Sequence, residues 1–236
     1  MTIQFLSLQE CVKIFHGFLT HYFMDIKYYG HACFSIKEQG MTLVTDPYSE
    51  AIGMKLPPLK ADVVTISHKD EAYNSKDSVE GEPKILNWPG EYEIGGVHFR
   101  GVHSFHNRKD DEEQLENIIF TGFFNGIRIC HLGSQGTSLT PEQLDQIGDI
   151  DILFIPVGGK EVVEPAKAKE IIEKIEPRII IPMVYHTEGN KRDLGSLESF
   201  LSVMGGNVEP IETLTVKKSE LPDDNSKVVV LNVSKV

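Results

Sequence analysis

Cysteine is scarce in this chain of 236 residues: Cys11, Cys33 and Cys130 lie far apart and no two form a C-x-x-C pair. No disulfide framework is indicated, and a reducing compartment, the cytoplasm, is the expected setting. Long apolar runs are missing too. None reaches the roughly 18 residues of a spanning helix, so no membrane partner is expected. Basic residues are in deficit, 23 Lys and Arg against 35 Asp and Glu, for a net charge of −12. That balance argues against nucleic acid, which favours a basic face, but leaves room for a small anionic ligand met by a local cluster of Lys or Arg. Internal repeats and low-complexity segments are also absent. What remains, 40% hydrophobic and 25% charged residues, is ordinary for a globular protein.

At this length one α/β domain with a full core is expected. The first half reads as strands: Lys27 to Ile36 and Met41 to Thr45 around the turn Glu38-Gln39-Gly40, a buried strand Val63 to Ile66, and several short strands between Lys84 and Phe105. Ile118 to Phe124 and Arg128 to His131 flank Asn125-Gly126, a strong hairpin dipeptide. The second half alternates helix Pro141 to Ile147, strand Ile152 to Pro156, helix Pro165 to Ile175 and strand Arg178 to Met183. A helix Leu197 to Met204 follows, stopped by Gly205-Gly206. Residues 1–23 form an N-terminal extension with helical apolar spacing and without the basic start or cleavage site of a signal peptide. Met24 reads as the natural start of the domain, residues 24–236, and is the expected true start of translation.

Several motifs recur in one order along that domain. They are Tyr28-Tyr29-Gly30-His31-Ala32-Cys33, Leu43-Val44-Thr45-Asp46-Pro47, Ser67-His68-Lys69-Asp70-Glu71-Ala72-Tyr73, Trp88-Pro89-Gly90-Glu91, Ser104-Phe105-His106, His131-Leu132-Gly133-Ser134 and Pro182-Met183-Val184-Tyr185. Together they resemble the metallo-β-lactamase superfamily, in the branch of ascorbate-6-phosphate lactonase and related metal-dependent hydrolases. The resemblance implies an αββα sandwich, two packed mixed sheets with outer helices, and ligand loops gathered at one sheet edge.

It also implies a ligand set that this chain has largely replaced. Family loops read Thr/Ser-His-x-His-x-Asp-His; here His68 fills the first ligand place, Asp70 the second, Ala72 the third and Tyr73 the fourth. His106 keeps its place. Ser134 stands where the family has an Asp bridging two metals, and Val184 where it has a closing His. Alanine offers no donor and neutral tyrosine a poor one. A two-metal centre, which needs a bridging carboxylate and about three protein ligands per ion, is not expected. The remnant His68, Asp70 and His106 is a two-His-one-carboxylate set that suits one Zn, Mn or Fe ion; no tightly bound cofactor is the favoured expectation.

By the same resemblance His31 and Asp46 lie under the ligands and orient them. For an enzyme with one metal, His131 or His186 would assist proton transfer. His16, His21, His98 and His103 are expected to be ordinary surface or hydrogen-bonded imidazoles, and Asp110-Asp111-Glu112-Glu113 a solvated loop. The first functional expectation is a catalytically impaired protein with a binding or regulatory role for a small molecule in the cleft. The rivals are a mononuclear hydrolase of a small phosphorylated, lactone or ester substrate, and a non-catalytic subunit that forms a homo-oligomer or pairs with an active paralogue.

Overall fold

The computed structural model describes residues 23–106, 115–223 and 225–234. Residues 1–22 of the N-terminal extension, with Cys11, His16 and His21, and the acidic run 110–113 lie outside them.

Two mixed sheets carry the chain. The first is built from β1 (Met24–Gly30), β2 (Cys33–Glu38), β3 (Met41–Thr45), β5 (Val63–Thr65), β7 (Lys84–Leu86) and β14 (Leu214–Val216), in the order β14-β1-β2-β3-β5-β7. The second takes β8 (Gly90–Ile94), β9 (Val97–Phe105), β10 (Glu116–Phe124), β11 (Ile127–His131), β12 (Ile152–Pro156), β13 (Ile179–Met183) and β15 (Lys227–Val228), in the order β15-β13-β12-β11-β10-β9-β8. A small ribbon pairs β4 (Leu59–Lys60) with β6 (Val79–Glu80). The sheets meet through aromatic side chains, Phe34 of β2 against Phe154 of β12 with ring centroids 4.7 Å apart.

Strand chemistry matches position. Met24–Gly30 alternates buried and more open residues, as a one-sided antiparallel strand should. Every residue of β12 and β13 is buried, which suits parallel strands covered on both faces. Asn125 and Gly126 take φ of 43° and 87°, the left-handed pair that a two-residue hairpin demands between β10 and β11.

The expected strand Lys27 to Ile36 proves to be two. The chain turns at Gly30 and His31, with φ of 98° and 53°, and the Tyr28 hydroxyl donates to the His31 carbonyl at 3.0 Å to close the bend. The turn lifts His31 out of the sheet and to the edge where the other motif loops end.

Three α-helices are described, and all belong to the second half: α1 (Pro141–Ile147), α2 (Pro165–Ile175) and α3 (Leu197–Met204). Thr140 and Gln143 form a reciprocal capping box ahead of Pro141. Ala168, Ile171, Ile172 and Ile175 give α2 its buried stripe, and α3 stops at left-handed Gly205. The fold is the expected α/β one, with fewer helices than strands. Among the described residues no helix is long and apolar enough to cross a membrane.

Candidate functional site

Strand ends from both sheets converge on one edge. The β1–β2 turn brings His31, the end of β3 brings Asp46, and the loop after β5 brings Ser67 to Tyr73. From the second sheet come His106 after β9, His131 to Ser134 at and after β11, the loop after β12 with Glu161, Val184 after β13, and Arg192 from the loop beyond it.

The floor is built on hydrogen bonds. Buried Asp46, itself in a left-handed conformation with φ of 39°, accepts from the Ser67 backbone N–H and from the Ser67 hydroxyl, both at 2.7 Å. The Ser67 carbonyl in turn accepts from the Ile118 N–H of the opposite sheet at 2.8 Å. The residue before His68 is thus clamped between the two sheets. Burial pushes the Asp46 carboxyl up to about 7, against the pull of the two Ser67 bonds.

His68 and His106 are brought together. Their rings stack with centroids 4.5 Å apart. His68 donates from Nδ1 to the Glu116 carbonyl at 2.6 Å and His106 from Nδ1 to the Ser134 carbonyl at 3.0 Å. Such a bond fixes the tautomer of a neutral imidazole with Nε2 as its lone-pair nitrogen, the arrangement of a metal-binding imidazole. Burial lowers the pKa of His68, which keeps it neutral.

Asp70 does not complete the set. One of its oxygens accepts from the Ala72 N–H at 2.8 Å, and both lie 3.4 Å from the Arg192 guanidinium. Arg192 is gripped harder on its other side, where Nε and Nη2 donate to one Glu161 oxygen at 2.8 and 2.6 Å. Burial alone would raise the Asp70 carboxyl; the Ala72 bond and the charge of Arg192 outweigh it and hold the group below the usual range. Among the described residues no three His, Cys, Asp or Glu side chains form a group able to hold a metal ion. The donors present therefore do not fit the metal that the fold implies: two prepared imidazoles remain, and the carboxylate beside them is turned to an arginine.

The replaced ligand positions are closed. Ala72 and Tyr73 are fully buried, Tyr73 packing its ring 4.7 Å from His31 and 5.7 Å from His68. Neither ring nitrogen of His31 nor the Tyr73 hydroxyl has a hydrogen-bond partner among the described residues. Burial, then the nearby Arg192 charge, lowers His31 to about 3. Ser134 gives both its N–H and its hydroxyl to Asn117 Oδ1, at 2.9 and 3.1 Å. Val184 is buried with φ of 52°, a strained angle for a β-branched residue, and its N–H donates to the His31 carbonyl at 2.8 Å.

Two proton-transfer expectations meet the structure differently. His131 is enclosed in the core, its Nε2 donating to the Ala32 carbonyl at 3.0 Å and its Nδ1 accepting from the Gly133 N–H at 3.2 Å. Both nitrogens are spent and solvent is shut out, so His131 is a framework residue and the catalytic expectation for it is corrected. His186 is exposed, on a loop tied by its N–H to the Gly195 carbonyl, and no described hydrogen bond links its ring to the cluster. His98 and His103 are surface imidazoles, each 3.7 Å from a glutamate.

Sequence reasoning passed over Arg192, Glu161, Asn117 and Gln135. Buried Asn117 also donates to the Leu132 carbonyl and to Gln135 Oε1, at 3.0 and 3.1 Å, and so carries the whole Leu132 to Gln135 turn. On the other flank of His68 a cavity of about 260 Å³ is lined by Ile66, Asn74, Asn87, Trp88 and Ile118. Trp88, the single tryptophan, is 66% exposed at its rim. Larger cavities of about 390 and 490 Å³ lie elsewhere and contain none of the clustered residues.

Fold and strand-end loops define an α/β sandwich of the metallo-β-lactamase type, and the comparisons agree. The Beta-lactamase superfamily domain matches residues 25–184, and the chain belongs to that family. It is similar to a Thermotoga maritima protein assigned to the Zn-dependent hydrolases of the metallo-beta-lactamase superfamily, at 38% identity and a TM-score of 0.74, covering 88% of this chain and 98% of that one. It is also similar to a UPF0173 protein of Pyrococcus abyssi, 28% identical over 75% of this chain and 89% of the relative. A UPF0173 metal-dependent hydrolase of Bacillus cytotoxicus is 24% identical over 70% and 86%.

Proposed function

We propose that this chain is a small-molecule-binding member of the family whose resting cleft works without a tightly held metal. Relatives named metal-dependent hydrolases supply the frame; the reading concerns what this chain has done with it. One observation carries it: the Asp70 carboxylate, the third ligand that the motif loops offer beside His68 and His106 among the described residues, is engaged by Arg192. An arginine held by two carboxylates already gives that corner a cation, and a divalent ion beside it would meet like-charge repulsion. The cavity on the far flank of His68, with two amides and an indole at its wall, is where a small ligand would lie.

A second reading has its own support. The Nδ1 bonds of His68 and His106 leave two ligand nitrogens ready, so a mononuclear hydrolase built on His68, Asp70 and His106 is the rival. There the ion would supply Lewis acidity, and the Glu116 and Ser134 carbonyls would hold the rings in place. Elemental mass spectrometry separates the two, on protein produced with added zinc, manganese or iron and washed with a weak chelator. The expected result is well under one metal per chain in every preparation. Near-stoichiometric metal that disappears in His68→Ala and His106→Ala overturns the metal-free reading.

A further inference from the structure

The short connection from β7 to β8 carries Trp88 on a backbone that is fixed from two sides. Its carbonyl accepts from the Tyr92 hydroxyl at 2.8 Å. The same oxygen lies 2.7 Å from where a Cβ on Gly101 would stand, so glycine at that place in β9 is what lets the connection pack so closely. The indole itself is left exposed. A lone exposed ring says little on any surface; this one is held in place beside a cavity.

The rest of the lining narrows what could lie there. Ile66 and Ile118, both buried, give it an apolar floor. The side-chain amides of Asn74 and Asn87 have no partner among the described residues, and each offers a donor and an acceptor. Charge at the rim is already matched: Lys69 Nζ lies 3.0 Å from one Glu116 oxygen and His103 Nε2 lies 3.7 Å from the other. At about 260 Å³ the space falls below the ~300 Å³ at which pockets for larger ligands begin, which suits a compact ring rather than an extended chain.

We propose that this cavity binds an uncharged, planar heterocycle that carries an amide, its face on the Trp88 indole and its amide edge on Asn74 and Asn87. Planarity follows from the indole, which rewards a flat ring over a puckered one. Neutrality follows from the floor and rim, where a charged ring would sit over Ile66 and Ile118 with no free counter-charge. The amide follows from the two asparagines, whose donors and acceptors it meets in kind. This ligand class rests on the reading of the chain as a metal-free binder of a small molecule.

Because Trp88 is the single tryptophan, its fluorescence reports on this cavity alone. Wild type in chelator, titrated with nicotinamide and with uracil, is expected to show saturable quenching, half complete at about 1 mM or below for ligands of so few atoms. Nicotinate, the same ring with a charge, and cyclohexanecarboxamide, the same amide on a saturated ring, should bind about tenfold more weakly. Calorimetry follows the variants. Trp88→Ala should lose about tenfold in nicotinamide affinity and Trp88→Phe much less, and Asn74→Ala combined with Asn87→Ala should also lose about tenfold. All three positions are exposed, so each variant should keep the wild-type Tm. A folded wild type with no saturable response to nicotinamide or uracil overturns the ligand class, as does equal binding of nicotinate and cyclohexanecarboxamide or unchanged affinity in Trp88→Ala; none of these touches the metal-free reading. Binding that appears only with stoichiometric Zn²⁺ overturns the metal-free reading instead, and the ligand class then stands if the preferences for a flat and uncharged ring persist.

Discussion

Replacing Asp46 by asparagine tests how the floor of the cleft keeps its protons. In the folded chain burial lifts Asp46 from its ordinary 3.8 to about 7, so across the intervening pH range the native state holds a proton that the unfolded chain has released. Its contribution to stability is full below the ordinary carboxyl value and is lost as pH rises through about 7. His31 and His131 act in the opposite sense. Burial lowers them from 6.5 to about 3 and about 4, so their contribution is present above 6.5 and is lost as pH falls, when the unfolded chain takes protons that the native state refuses. Between about pH 6 and about pH 4.5 the unfolded state gains two protons at the histidines while the native state holds one extra at Asp46, and these groups give a net slope of ~1.4 kcal/mol per pH unit. Asp46→Asn removes the compensating proton and raises the slope to ~2.7 kcal/mol per unit, so over that window the variant loses ~2 kcal/mol more than wild type. Urea unfolding at half-unit steps measures both slopes, and groups shared by the two proteins cancel in the difference. Equal slopes would refute the argument, since they would mean that Asp46 is ionised in the fold.

Gly133 sits at φ of 59° where an added Cβ would come 2.3 Å from the Ser67 Cβ and 2.5 Å from Asn117 Oδ1. Gly133→Ala should therefore cost ~3 kcal/mol through overpacking and left-handed strain combined, measured by urea unfolding, because both neighbours are themselves clamped. Asn117→Ala strips partners from the Ser134 N–H and hydroxyl, the Leu132 carbonyl and Gln135. It should lower stability by ~3 kcal/mol, measured by urea unfolding; retention of wild-type stability would show that water replaces the amide.

Much of the fold was legible because its signals are local. The Asn125-Gly126 turn, the boundaries of α1 and α2, and the uninterrupted apolar runs of β12 and β13 each follow from a few adjacent residues. The bend between β1 and β2 was missed for a physical reason. Tyr28 to Ile36 is apolar enough to read as one strand, and the event that divides it is a left-handed histidine, a conformation that composition does not announce. His131 was misread because a histidine one residue beyond an apolar run looks the same in sequence whether it faces a cleft or a core; the Ala32 carbonyl that claims it comes from a loop 99 residues away.

Arg192 was invisible for a stronger reason. Its two partners lie 31 and 122 residues away along the chain; the Glu161 pairing joins the loops beyond neighbouring strands β12 and β13 of one sheet, and the Asp70 pairing exists only because the two sheets bring their loops to the same edge. A motif reading compares each position with the ligand it ought to carry, so it records Ala72, Tyr73, Ser134 and Val184 as subtractions. The structure adds what such a comparison has no place for, a cation brought to the same edge by Arg192 from the loop beyond β13. Against the pattern that the resemblance implies, Ala72 and Ser134 give two carboxylates fewer and Asp70 one more, a net difference of one negative charge, and Asp70 and Glu161 form the acidic pair that Arg192 serves. Restoring carboxylates at positions 72 and 134 while Arg192 stays in place would favour a divalent ion over the guanidinium, because each added carboxylate attracts a charge of two about twice as strongly as a charge of one at the same distance.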